Sequence, residues 1–159
     1  MRTDLKKYRK WMEENNGKHM MSKYTTKNYS YLLEDVMKNN FKYAWDPEEL
    51  WKIAKNKKVI KYKMKDVKHW VYSQCWSKKD CYISIFQVLQ QPSKFPEHIK
   101  RIRNADLEYP LIVIEDKYDK YGSILDGNHR FAKMIMNNKR IIPIIYFTQR
   151  ELKKLKIKL

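Results

Sequence analysis

Five consecutive residues, Asp126-Gly127-Asn128-His129-Arg130, put a carboxylate, a glycine, an amide, an imidazole and a guanidinium side by side. They follow the apolar run Ser123-Ile124-Leu125 and precede Phe131-Ala132-Lys133-Met134-Ile135, so a strand hands the chain to a helix at this point. The first backbone N–H groups of a helix have no intrahelical partner, and the helix dipole favours an anion there. Gly127, one of only three glycines in the chain, permits a backbone angle closed to other residues and lets a ligand approach the main chain. Asn128 offers an amide, His129 a ring nitrogen, and Arg130 a planar fork matched to phosphate oxygens. The chemistry that fits is phosphate binding. Asp126 has three candidate roles: capping the helix, orienting His129, or holding a divalent cation that bridges to phosphate.

The elements that would position this junction alternate between strand and helix from Val59 onward. Val59–Met64 alternates as a half-buried strand, and a short helix around Val67, Trp70 and Val71 follows. A buried helix over Ile83–Leu89 stops at Pro92, and Pro96 opens another with Ile99 and Ile102 inside. Leu111–Ile114 reads as a strand buried on both faces. The charged turn Glu115–Tyr121, closed by Gly122, joins it in a hairpin to Ser123–Asp126. The helix after Gly127 turns Phe131, Ala132, Met134 and Ile135 inward, and Asn137-Asn138 ends it. Ile141–Phe147 is a last strand whose Pro143 marks an edge or a bulge. Thr148 and Glu151 form a capping box for a C-terminal helix over QRELKKLKIK.

Residues 1–57 read as a separate helical segment. Thr3 caps a helix with Leu5, Tyr8, Trp11 and Met12 on one face; a second begins near Ser30; a third has Asp46 as N-cap, Pro47 at its first position and Glu49 closing a capping box. Trp and Tyr interleave with lysine here, a pattern open to base stacking, although core packing is the commoner use of such rings.

At 159 residues and 43% hydrophobic the chain can bury a core, and the expected class is α+β. No apolar run is long enough to span a membrane, and the first residues lack the apolar stretch of a secretory signal, so an intracellular protein with no membrane partner is expected. The net charge of +17 would point to nucleic acid, but residues 1–70 hold 18 Lys+Arg against 9 Asp+Glu and residues 71–159 hold 17 against 9, so neither half is a basic arm. Cys75 and Cys81 match no zinc or redox spacing and read as reduced thiols, and His19, His69 and His98 lack metal-ligand spacing.

The order of elements, with the Pro-led strand YPLIVIE, the hairpin, ILDGNHRFAKM and IIPIIYF, resembles the ParB/sulfiredoxin superfamily over about residues 58 to 155. The resemblance implies a small mixed sheet with flanking helices in a domain over residues 58–159. It also implies nucleotide-phosphate binding by Gly127, Asn128, His129 and Arg130. Sulfiredoxins carry a reactive cysteine where this chain has Asn128, and ParB proteins, which bind a cytidine nucleotide, carry Gly-Glu-Arg-Arg at this helix start. The sequence is most similar to the Asp-Gly-x-His-Arg branch of ParB-like nucleases and free-serine kinases. Those kinases use a glutamate near the first strand as base, whereas Val59–Asp66 offers only Asp66 and, farther on, His69.

Three functions are therefore expected. The first is an ATP- or CTP-dependent phosphotransferase or NTPase in which Asp126, His129 and Arg130 are catalytic and Mg2+ is held by Asp126, with Glu115 at the end of the paired strand as a second carboxylate; a solvated turn is the competing reading of Glu115. The second is a DNA-binding or nuclease-like protein that grips backbone phosphate in the same pocket. The third is a noncatalytic nucleotide-sensing module.

Overall fold

The computed structural model describes residues 43–45, 47–78, 81–154 and 156–158. The helices expected from Thr3 and Ser30 and the Asp46 cap lie outside them. The described chain is mixed α+β and forms two compact units, the first joining residues before Lys58 to those from Thr148 onward, the second Lys58–Phe147.

In the first unit β1 (Tyr43–Trp45) pairs antiparallel with β8 (Lys156–Lys158), Ala44 opposite Ile157. Helix α1 (Pro47–Lys55) buries Leu50 and Ala54, four residues apart on one face. Helix α6 (Gln149–Lys153) opens with the expected capping box: Glu151 N–H donates to Thr148 Oγ1 at 3.2 Å, and Thr148 N–H donates to Glu151 Oε2 at 2.7 Å. The Glu151 carboxylate also accepts from the Lys57 ammonium, and these hydrogen bonds, with the one from Lys57 foremost, hold it below the usual carboxylate range. The helix expected through QRELKKLKIK ends at Lys153, because Lys156-Ile157-Lys158 goes into strand pairing instead. The described residues from Thr148 onward group with the first unit.

The second unit carries a sheet of order β2 (Ile60–Lys63), β7 (Ile141–Phe147), β5 (Leu111–Asp116), β6 (Asp119–Asp126). β2 runs antiparallel to β7, with Tyr62 opposite Ile142; β5 runs parallel to β7, with Leu111 opposite Ile144. β5 and β6 form the expected hairpin, but the turn is shorter than the charge run suggested. Only Lys117 and Tyr118 lie between the strands, and Tyr118 N–H donates to Asp116 Oδ1 at 2.8 Å. Gly122 consequently sits inside β6, where φ is 81° and a Cβ would lie 2.3 Å from the Ile114 carbonyl oxygen. β7 is central, not an edge. Its Pro143 precedes the first residue registered with β5, so the missing N–H leaves no gap in that ladder.

All four residues of Leu111–Ile114 are buried, as their continuous apolar run implies. On one face Leu111, Val113, Ile142 and Ile144 pack with Trp70 and Val71 of a 3-10 turn (Lys68–Tyr72) that follows the short helix α2 (Met64–Val67). α3 (Ile85–Gln90), α4 (Pro96–Asn104) and α5 (Asn128–Met136) complete the layer through Ile85, Val88, Ile99, Ile102, Phe131 and Met134. A second hairpin, β3 (Gln74–Lys78) with β4 (Cys81–Ser84), sets Trp76 opposite Ile83 and occupies residues that read as loop and helix start in the sequence. α3 therefore begins two residues later than expected, on a Ser84–Gln87 capping box. The half-buried Cys75 thiol is free, and burial pushes it up to about 12, which keeps it protonated at neutral pH.

Candidate functional site

β6 delivers the chain to Asp126, and Gly127 reverses it with φ 109° and ψ 21°, a left-handed conformation that favours glycine. The next nine residues are α5, whose first intrahelical bond runs from Phe131 N–H to Gly127 O at 2.8 Å. No side chain caps this helix, in contrast to α3 and α6. Asp126 is thus not the N-cap. Its Oδ2 accepts from Arg130 Nη2 at 3.1 Å, and both side chains are mostly covered. The guanidinium lies back over the glycine: a Cβ on Gly127 would be 2.9 Å from Arg130 Nη2 and 2.7 Å from Leu111 Cδ2.

Asn128, the first helical residue, is 3% exposed, and its Nδ2 is buried with no hydrogen-bond partner among the described residues. A buried amide donor left unsatisfied costs about 1–3 kcal/mol, so such groups in native proteins call for an acceptor supplied from elsewhere.

His129 enters a layer of three near-parallel rings. Its Nε2 is 3.2 Å from His98 Nδ1, and Trp76 stacks on both imidazoles, with centroids 4.6 Å from His129 and 4.3 Å from His98. Burial, reinforced by His98, Arg101 and Arg130, lowers the His129 pKa to about 3. The sequence suggests two cations at this helix start, but only Arg130 is one at neutral pH; His129 is a neutral donor–acceptor locked to its partner. Trp76 Nε1 is also buried with no hydrogen-bond partner among the described residues.

The pieces are held by adjacent elements. Trp76 comes from β3, His98 and Arg101 lie three apart on one face of α4, and α4 packs on α5. Lys133 of α5 fixes that contact by donating to Arg103 O at 2.8 Å and Ala105 O at 2.7 Å, the carbonyls at the end of α4. Trp76, His98 and Arg101 are absent from the set picked out by sequence. The spacing of His98 and Arg101 on a helix opened by Pro96 is a legible signal, whereas nothing local in Cys75-Trp76-Ser77 indicates that its ring covers residues 22 and 53 positions away.

Asp126, Gly127, Asn128, His129 and Arg130 are brought together; Glu115 is not. Asp126 registers with Ile112, and Glu115 is three residues farther along β5, about 10 Å away at the hairpin end. Its charge instead reaches Tyr146, whose pKa is raised by burial and then by Glu115. Among the described residues no three His, Cys, Asp or Glu side chains converge as a metal-binding group. His69, at the same hairpin, is bonded to Asp119. No described helix is long and apolar enough to cross a membrane. No protein-family model, curated protein or solved structure matches the chain.

Proposed function

We propose that the α5 N-terminus binds the phosphate of a nucleotide and that the protein is a phosphotransferase or NTPase with a ParB/sulfiredoxin-like second unit. The observation that carries this reading is the buried Asn128 amide, unsatisfied beside a left-handed glycine, an uncapped helix start and a packed arginine. The glycine amide, the helix start, the Asn128 Nδ2 and the guanidinium all present donors or positive potential, so the complementary guest is a compact, acceptor-rich anion.

Phosphoryl transfer asks little covalent chemistry of a protein; it rests on positioning and on stabilising charge. Arg130 would supply the fixed positive charge, the Gly127–His129 amides the cradle, and Asn128 a neutral donor. Neutral His129, held by His98 and Trp76, would fix the helix start in place and contribute no charge. Mg2+ is usually bound through one or two carboxylates plus substrate phosphates, and Asp126 is the carboxylate that would hold such an ion here. When bound, the ion would neutralise phosphate charge.

Thermal unfolding with ATP or CTP, with and without Mg2+, tests the reading. A hundredfold excess over Kd is expected to raise Tm by about 5–10 °C, and Arg130→Ala is expected to abolish the rise. Stabilisation by duplex DNA and by no mononucleotide would replace this reading with that of a protein gripping backbone phosphate. Stabilisation without turnover would leave a nucleotide sensor.

A further inference from the structure

We propose that Asp126 is a built-in competitor for the ligand of the α5 N-terminus: its carboxylate holds the Arg130 guanidinium over Gly127, and an incoming phosphate must take its place on Arg130. The proposal rests on the phosphate-binding reading above and adds a regulatory contact to that site.

Geometry places the plug. A Cβ on Gly127 would lie 2.9 Å from Arg130 Nη2 and 3.1 Å from Nε, so the guanidinium occupies the space where a side chain at this position would begin. That is the space through which an oxyanion would approach the Gly127–Asn128 amides. The plug is fastened by Asp126, whose Oδ2 is 3.1 Å from Nη2, with the two side chains only 17% and 16% exposed. A pair so covered is screened far less than a surface pair. A separate observation marks the corner as made for a ligand: Asn128 Nδ2, on a residue 3% exposed, has no acceptor among the described residues. The Asp126–Arg130 contact closes the approach without satisfying that donor.

Phosphate and carboxylate carry the same sign and seek the same fork. A phosphate that engages Arg130 while Asp126 stays ionised beside it meets like-charge repulsion in a poorly screened place, so the carboxylate has to swing aside. The site is then a two-state element, and its apparent affinity is reduced by the fraction of time the carboxylate holds the arginine. Neutralising Asp126 removes both the repulsion and the hold. An aspartate that merely orients Arg130 for the ligand predicts the reverse, since its loss would leave the guanidinium disordered.

Calorimetric titration of the full chain with inorganic phosphate and with ATP, free of divalent cations and at constant ionic strength, decides between them. Asp126→Asn and Asp126→Ser, each verified as folded by circular dichroism, are expected to bind both probes about tenfold more tightly than the parent protein. Asp116→Asn makes the same charge change at the hairpin turn and is expected to match the parent within about twofold, which separates a local effect from one of net charge. Equal or weaker binding by both Asp126 variants, where the parent binds, overturns the competitor role and leaves the phosphate site standing. Binding to neither the parent nor any variant overturns the phosphate site, and the competitor with it.

Discussion

Gly122 and Gly127 both have positive φ, yet replacing them separates fold from site. An alanine at Gly122 would press its Cβ to 2.3 Å from a backbone oxygen of the neighbouring strand, which cannot yield without opening the hairpin. At Gly127 the close atoms are Leu111 Cδ2 and the Arg130 guanidinium, the far ends of flexible side chains. Gly122→Ala is therefore expected to cost more than about 3 kcal/mol and Gly127→Ala about 1–2 kcal/mol, by urea denaturation, with Gly127→Ala alone leaving a folded protein that has lost phosphate binding. His129 makes a second residue-scale prediction. Its folded pKa of about 3 lies below the ordinary histidine value near 6.5, so the unfolded chain binds the proton first. The stability it contributes is complete above pH 6.5 and drains away as pH falls toward 3, by up to about 1.4 kcal/mol per pH unit. The depressed Asp119 and Glu151 carboxyls begin to count only in the carboxylate range, so the window from about pH 6.5 to 5 reports the imidazole layer. Denaturation midpoints across that window should be flatter in His129→Asn than in the parent; identical slopes would show that the ring is not held neutral by burial.

Two helices, α3 and α6, carry side-chain caps that the helix forming the site lacks. α3 and α6 each satisfy their first amides with a capping box, while α5 starts on a glycine and leaves the work to other groups. Ser84→Ala is expected to destabilise the protein by about 1 kcal/mol in urea denaturation, as loss of an N-cap normally does. A cost near zero would mean that the β4–α3 junction is held by the Ile85 and Val88 contacts alone. Such signals explain what sequence could reveal. Thr148–Glu151 is a local pattern whose partners lie three apart, and it was legible; Asp126–Arg130, four apart, is just as local, but the roles read for Asp126 were a cap, an anchor for His129 or a cation ligand, not a partner for Arg130. Ser84-x-x-Gln87 is the same pattern and was readable, but Ile83–Leu89 also fits an apolar helix, and periodicity over so short a run does not place its start. The β1–β8 pair depends on which distant backbone lies alongside, and the strands of the local β3–β4 hairpin are too short to show a clear alternation. Pro143 was informative in a way the strand order then refined: it marks the side of β7 where β5 has not yet begun.

In the second unit as a whole, the two ends of the β5–β6 hairpin have different jobs. At the junction end, Asp126 and Gly127 open the candidate site. At the turn end, Trp70 Nε1 donates to Gly122 O at 2.9 Å and to Asp119 Oδ2 at 3.2 Å, and Asp119 also accepts from Tyr121 N–H and bonds His69. Burial alone would raise the Asp119 pKa, but these hydrogen bonds outweigh it and hold the carboxyl below its ordinary value. The Trp70 ring meets Phe131 of α5 at 5.5 Å and Tyr62 at 6.2 Å, and Tyr62 meets Tyr121 edge-on at 5.4 Å. Since Tyr62 lies on one edge strand and Tyr121 on the other, the aromatic side chains join both margins of the sheet over one face. This turn-end cluster is a fastening, and it meets the helix that forms the site by packing against Phe131. Trp70→Phe keeps most of that packing and deletes the indole donor, leaving the Gly122 carbonyl and Asp119 each short of a bond. A loss of about 1–3 kcal/mol in stability is expected, with ATP affinity by calorimetry unchanged within about twofold. A weakening of ATP binding beyond about fivefold would mean that the hairpin transmits strain along its length to Asp126, and that the fastening and the site are one cooperative device.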